Sequence, residues 1–269
     1  MNLPADFLPK RSLGQNFLID DNVAQKIVRA IAPQPADVFV EIGPGLGALT
    51  KHIVPLGCRY FAVEIDERLL PGLQAQFGGY PNFQLLHADF RRVDLQKLVS
   101  GAGLRLIGNI PYHITSHIVF TAFAQRGLIR DVTLTVQKEV AERIVAQPGS
   151  KTYGILSVVC QTFAHAELLF TLSEHVFRPK PEIDSAVIQW KMQPPPLPIR
   201  DENFYLEVVK TAFGQRRKTL RRSLHKLALQ RGIALPEVID LQRRPETLTI
   251  AEMILLANSL VQARADGPA

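Results

Sequence analysis

The chain is short of the residues that mark several functional classes. Its two cysteines, Cys58 and Cys160, lie far apart with no paired spacing, which argues against a disulfide framework and against a thiolate metal site. Cys160 sits in the apolar run GILSVVCQTF and reads as a core thiol. No run of about 18 apolar residues occurs, so no membrane span is predicted. The opening stretch MNLPADFLPKRSLG has no basic segment followed by an apolar core, so no secretory signal is expected there. No internal repeat is found, and no Ser-His-Asp or Cys-His arrangement can be assembled. His113 and His117 share i,i+4 spacing, but no third ligand or catalytic glutamate accompanies them. A capping or surface role explains them better than a metal, and no metal is expected. Together these absences predict a reducing, cytoplasmic setting.

What is present is ordinary in bulk. With 269 residues, 46% of them hydrophobic, the chain can build one large domain, or a catalytic domain with a smaller companion. Against 25 acidic residues stand 31 basic ones, a net charge of +6. That excess is modest, so its location matters more than its size.

Strand-length apolar runs recur at 37–43, 59–66, 82–89, 104–109 and 131–137. Helical patterns at 67–77 and 116–125 stand between some of them. Alternating strands and helices predict an α/β fold with a parallel sheet covered on both faces. A helix follows in KEVAERIVAQ. Two further strands at 166–172 and 185–192 have no clear helix between them and suggest an antiparallel hairpin at the sheet edge. The segment QPPPLP (193–198) cannot continue a ladder and reads as a linker. Everything beyond it has a helical pattern. The expectation is a catalytic domain over 1–192 and a small all-helical domain over 199–269.

VEIGPGLGALT (40–50) follows the first strand and opens a helix. Glycines at 43, 45 and 47 allow a tight turn and a close approach to a ligand. Gly43-x-Gly45-x-x-Ala48 satisfies a dinucleotide fingerprint, while Glu41-x-Gly43-x-Gly45-x-Gly47 is the acidic-glycine pattern of S-adenosylmethionine enzymes. The motif alone does not choose between them. Glu64 ends the second strand, 21 residues after Gly43, where a carboxylate accepts from ribose hydroxyls in either class. Asp89 ends the third strand, suited to an adenine amino group or to capping a helix. Strand-end acids on successive units converge on the carboxyl edge of such a sheet, the usual ligand crevice.

IGNIPYHI (107–114) closes the fourth strand at that edge. Asn109 supplies a side-chain carbonyl, and Pro111 is read as leaving its backbone carbonyl free in a restricted turn. Two acceptors can hold both protons of an exocyclic amine while Tyr112 stacks on the ring. The amine of adenine is a poor nucleophile because its lone pair is delocalised into the ring. Acceptors that favour a pyramidal nitrogen, aimed at a sulfonium methyl, correct that defect. Hydride transfer has no use for the arrangement, so methyl transfer is the reading. A second signal lies downstream. Between Lys210 and Arg231 there are eight basic residues and no acid, with Arg217/Arg221, Lys218/Arg222 and Arg222/Lys226 as i,i+4 neighbours. Like charges so crowded repel unless an anion is near, and RNA phosphates fit better than a plain solvated face.

These motifs, in this order and over nearly the whole chain, resemble the ribosomal RNA adenine N6-dimethyltransferase family, small-subunit type. The resemblance rests on LGQNFL (13–18), EIGPGLGALT, VEID, HAD, NIPY, FRPKPEIDSAV (177–187) and FGQRRKTLRRSL (213–224). It departs mildly at ADF, where a smaller residue is expected after the aspartate, and at Ile183, where valine is commoner. The resemblance implies a Rossmann-like S-adenosylmethionine-binding sheet with Asn16, Leu18, Gly43, Gly45, Glu64, Asp89 and Asn109 at the cofactor. It implies Phe177 sandwiching the target adenine with Tyr112, beside Asn109 and Pro111 in the catalytic set. RNA contacts are expected at Arg216, Arg217, Lys218, Arg221 and Arg222. The implied substrate is 16S ribosomal RNA in the immature small subunit, with two adjacent adenines of the terminal hairpin each receiving two methyls, and a monomer is expected. The rival readings are a 23S RNA adenine methyltransferase, a nicotinamide-dependent dehydrogenase and a non-catalytic RNA-binding assembly factor.

Overall fold

The computed structural model describes residues 9–10, 13–99, 101, 103–111 and 114–265. Contacts divide the chain into two compact units. One runs to Ala141 and resumes from Glu167 to Met192; the other joins Glu142–Ala166 to the chain from Gln193 onward.

The first unit is built on a short strand β1 (Phe17–Leu18), helix α1 (Asp21–Ile31), strand β2 (Val38–Ile42), helix α2 (Thr50–Ile53) and strand β3 (Arg59–Glu64). Helix α3 (Leu70–Phe77), strands β4 (Phe83–His87) and β5 (Leu104–Asn109), helix α4 (Thr115–Ala124) and strand β6 (Ile129–Gln137) follow. After α5 (Lys138–Val145) and α6 (Ile155–Phe163), strands β7 (Ala164–Leu172), β8 (Phe177–Arg178) and β9 (Ser185–Met192) complete it. The seven-stranded sheet has the order β4-β3-β2-β5-β6-β9-β7, while β1 and β8 form a separate antiparallel pair. Strands β2 to β6 pair in parallel, and β9 runs antiparallel to β6. The edge pair expected from sequence is thus β9 and β7, side by side.

The central strands are apolar almost without interruption because both sheet faces are covered. Phe39, Val40, Ala62, Leu106 and Ile107 are fully buried. Helix α1 covers one face with Ala24, Ile27, Val28 and Ile31; Asp20 caps it by accepting from the Val23 amide at 3.1 Å. At the amino ends of the strands a buried ionic cluster locks the layers. Arg105 binds Asp37 at 2.8 Å and Asp131 at 3.0 Å, and donates to the Ile31 carbonyl at 2.7 Å. At the opposite ends, the strand order reverses at β2, whose neighbours are β3 and β5. A crevice forms outside the carboxyl ends at such a switch point.

The second unit gathers α6 with α7 (Glu202–Gly214), α8 (Leu220–Arg231) and α9 (Ile250–Ala265). Its core includes Tyr153, Val158, Tyr205, Val208, Leu224, Leu248 and Ile254. Asp201 caps α7 by accepting from the Phe204 amide at 2.9 Å, and Thr162 and Tyr205 share a buried hydroxyl bond of 2.7 Å. Residues 142–166 therefore differ from the linear division at 192: Tyr153 and Val158 have their apolar partners among the C-terminal helices.

Candidate active site

Strand β2 ends at Ile42, and the chain turns at once through Gly43 (φ +64°) and Gly45 (φ +60°). An L side chain is strained at both values. At Gly45 an added Cβ would also lie 2.9 Å from the Phe17 ring, so glycine lets β1 lie on the loop. At Gly43 nothing stands within 4 Å of such an atom. That open space belongs to a cavity of about 270 Å³ over the carboxyl ends of the strands. Eight residues singled out in the sequence line it: Asn16, Leu18, Gly43, Gly45, Glu64, Asp89, Asn109 and Pro111. Glu41 and Gln15 line it as well.

The acids have distinct environments. Glu64 is 3% exposed and accepts three backbone amides: Ile65 and Asp66 at Oε1, both at 2.9 Å, and Gly45 at Oε2, at 3.1 Å. Burial pushes its carboxyl up, and those amides oppose the rise. A carboxylate has about four acceptor sites, so Oε2 retains one for a hydroxyl. Glu41 is deeper. Thr50 and Tyr60 donate to its Oε2 at 2.5 and 2.6 Å, and burial pushes its carboxyl up to about 7, with Glu64 adding to the rise. Asp89 caps the turn 90–92 through the Arg91 amide at 3.0 Å and pairs with the Arg91 guanidinium at both oxygens. Arg91 holds its carboxyl below the usual range. The capping reading of Asp89 and its place on the cavity thus coexist.

At the end of β5, Asn109 Nδ2 donates to the Asn16 carbonyl at 2.7 Å. This fixes the amide and leaves Oδ1 as an acceptor. The Asn16 side chain instead donates to Gly14 at 3.3 Å. Pro111 requires a correction: its carbonyl is not free, because the Ile114 amide donates to it at 3.2 Å as the chain turns into α4. The neighbouring Ile110 carbonyl accepts no hydrogen bond among the described residues, and Ile110 lines the cavity. It is an open acceptor at the cavity that the sequence reading did not single out. Tyr112 and His113 lie outside the described residues.

Phe177 is a second correction. Its residue is 3% exposed, packed with Leu18, Leu172 and Val187, and it does not line the cavity. The cause is its place in β8, where its register partner is Leu18 while Arg178 takes the exposed position. What the FRPKP segment contributes here is a strand partner for FL of GQNFL.

The chain matches the family model for ribosomal RNA adenine dimethylase over residues 7–262. It belongs to that family. It is therefore an adenine methyltransferase of ribosomal RNA whose cofactor is S-adenosylmethionine. Ribosomal RNA small subunit methyltransferase A of Chlorobium phaeobacteroides is 42% identical over 251 residues, covering 93% of each chain. The same-named protein of Marinobacter nauticus is 39% identical, covering 93% of this chain and 91% of its own. Among solved structures, a dimethyladenosine transferase from Plasmodium falciparum shares the fold with a TM-score of 0.75 at 21% identity, covering 91% of this chain and 98% of that one. A 23S rRNA methyltransferase, ErmE, shares it with a TM-score of 0.66 at 24% identity, covering 90% and all of its own chain.

The cavity suits the family's cofactor on its own evidence. It offers an open glycine floor at Gly43, a buried acid with a spare acceptor at Glu64, and an oriented amide at Asn109. The second unit carries the basic cluster, which the structure sorts into two sets. Arg216 donates to the Ser150 carbonyl at 3.2 Å, and Arg231 pairs with Glu207 at 2.9 Å. Arg217, Lys218, Arg221 and Arg222 are exposed and have no ion-pair partner among the described residues. Among the described residues no group of three or more His, Cys, Asp or Glu could hold a metal, and no helix is long and apolar enough to cross a membrane.

Proposed function

We propose that this enzyme dimethylates N6 of two adjacent adenines in the 3′-terminal hairpin of 16S ribosomal RNA, acting as a cytoplasmic monomer on the immature small subunit. The substrate assignment is supported by the small-subunit methyltransferases to which the chain is about 40% identical over nearly its full length. The observation that carries the chemistry is the fixed Asn109 amide: with Nδ2 bound to the Asn16 carbonyl, Oδ1 remains as an acceptor beside the open Ile110 carbonyl.

Glu64 would hold the ribose hydroxyls, the glycine turn would allow close approach, and Asp89 would meet the adenine ring of the cofactor once Arg91 yields. The bound cofactor supplies an electrophilic methyl group on a sulfonium. A target adenine extruded from its stack presents two N–H groups to Asn109 Oδ1 and the Ile110 carbonyl for the first transfer, and its one remaining N–H to this pair for the second. Accepting hydrogen bonds from the amine pulls the nitrogen toward a pyramidal geometry and returns its lone pair for attack. Fixed dipoles in a partly dry site lower the barrier without reorganising. The methylated nitrogen then loses a proton readily, so no strong base is required of the chain. The exposed cations of α8 and the preceding turn would hold phosphates and shape, not sequence.

The test is transfer of labelled methyl groups from S-adenosylmethionine to immature small subunits, run beside naked 23S RNA. Label in the small subunit alone is expected. Label confined to 23S RNA would favour the large-subunit reading, and label in neither would favour an assembly factor.

A further inference from the structure

Asp66 lies two residues beyond Glu64 and one beyond Ile65, both of which line the cavity, and its side chain is wholly inaccessible. Arg68 grips both of its oxygens, Nε to Oδ1 at 2.9 Å and a terminal nitrogen to Oδ2 at 2.6 Å. That guanidinium holds the carboxyl well below the usual range, which keeps Asp66 ionised around neutral pH. Its Oδ2 also accepts from Gln15 Nε2 at 2.8 Å, across 51 positions of sequence. Gln15 is used at both ends, because its Oε1 accepts from the Lys10 amide at 2.8 Å. The Lys10 ammonium stands 3.6 Å from Asp66. Gln15 lines the cavity directly before Asn16, whose carbonyl is the anchor of Asn109.

The stretch 14–16, which carries neither helix nor strand, thus lines the cavity between two fixed points. One is Asn109 at the end of β5; the other is a buried carboxylate just past the end of β3. A buried anion with a bidentate arginine already satisfies its charge. The additional bond to a cavity-lining amide is what a merely structural cap on the turn 67–69 does not need.

We propose that Asp66 is a positioning residue for cofactor binding: through Gln15 it latches the 13–16 stretch over the cavity and sets how long the cofactor stays. The proposal rests on the reading that S-adenosylmethionine occupies this cavity. Charge-assisted bonds of this kind are stronger than neutral ones, and losing one shortens residence more than it slows entry.

The experiment measures S-adenosylmethionine binding by calorimetry and release by stopped flow on the full chain, with cofactor KM and kcat alongside. For Gln15→Ala we expect affinity to fall roughly ten-fold, with faster release, and KM to rise by more than kcat falls. Gln15→Glu sets a second carboxylate against Asp66, with Lys10 and Arg68 as the facing cations and Glu64 and Glu67 as further acids nearby. It should bind worse than Gln15→Ala near pH 8. Near pH 5.5 the introduced carboxyl can take up a proton and donate a hydrogen bond to Asp66, so the affinity of Gln15→Glu relative to wild type should recover while that of Gln15→Ala does not. Asp66→Asn also loses its charge on Arg68, so the Gln15 variants decide. Wild-type affinity and release in both of them would overturn the latch, as would equal losses in both at every pH. Failure of the wild type itself to bind S-adenosylmethionine would instead overturn the assignment of the cavity.

Discussion

Asn109→Asp is nearly isosteric, yet it replaces a donor 2.7 Å from the Asn16 carbonyl with an oxygen. Two acceptors then face each other across the strand end and the stretch that lines the cavity. The site is part-buried, so the lost bond and the unpaired carbonyl together cost about 1–2 kcal/mol. If closure of that stretch is part of binding, cofactor affinity falls by roughly 5- to 30-fold. The acceptor for the target amine survives in this variant, so the methyl-transfer step at saturating cofactor should suffer less. Asn109→Ala has the reverse profile. It removes the aimed acceptor, costing on the order of 100-fold or more in rate, while water can serve the Asn16 carbonyl and the affinity loss is smaller. Calorimetry gives the affinity and single-turnover transfer at saturating cofactor gives the rate; melting curves show that a strand-end change leaves the fold intact. An alanine variant that transfers at the wild-type rate removes Asn109 from the reacting centre. An aspartate variant that binds cofactor as tightly as wild type removes the Asn16 anchor.

Arg105→Ala strips the main cation from buried Asp37 and Asp131, leaving half-exposed Arg130 as their only ion-pair partner among the described residues; we expect a loss of about 3–5 kcal/mol, seen as a melting temperature lower by roughly 6–20 °C. A fall of a degree or two would mean that the cluster is dispensable. Glu41 titrates from 4.5 in the ordinary state to about 7 in the fold, so the folded chain binds the extra proton between those values. Its contribution is therefore complete below about pH 4.5 and is lost as pH rises through 7, on the order of 3 kcal/mol in all. Guanidinium denaturation of Glu41→Gln between about pH 5 and 8 should show a flatter profile than wild type, and parallel profiles would contradict this. Neutralising Arg217, Arg221 and Arg222 should reduce the log–log salt slope of RNA binding by about 0.7–0.9 per lost phosphate contact without changing cofactor affinity. An unchanged slope would leave those side chains as a solvated face.

The main strands and the cavity were legible for a common reason. Parallel strands buried on both faces read as apolar runs, and the residues that end them collect on one edge whatever the loops do. Glu64, Asp89 and Asn109 could be placed by counting. Features that depend on pairing across the chain could not. Two-residue strands such as β1 and β8 carry no periodicity, so neither their pairing nor the inward position of Phe177 was visible. The order FRPKP tells that an aromatic approaches the final strand, not which side it takes. Helix α6, ILSVVCQTF, is buried over most of its surface and shows no polar stripe to set its period. Prolines at 194–196 mark a linear boundary, but nothing linear reveals that 142–166 packs with helices beyond them. The choice between the Ile110 and Pro111 carbonyls turned on one amide, that of Ile114. Gln15 and Asp66 are common residues in polar stretches, and only their 2.8 Å contact singles them out.

The most direct measurement is to incubate the enzyme with S-adenosylmethionine and immature small subunits, then map the modified adenines by sequencing and count methyl groups by mass spectrometry. Two neighbouring adenines in the 3′-terminal hairpin of 16S RNA, each carrying two methyls on N6 and both absent with Asn109→Ala, is the expected result. A single methylated adenine elsewhere, methylation at another ring nitrogen, or full modification by the alanine variant would contradict the clamp at Asn109 and Ile110.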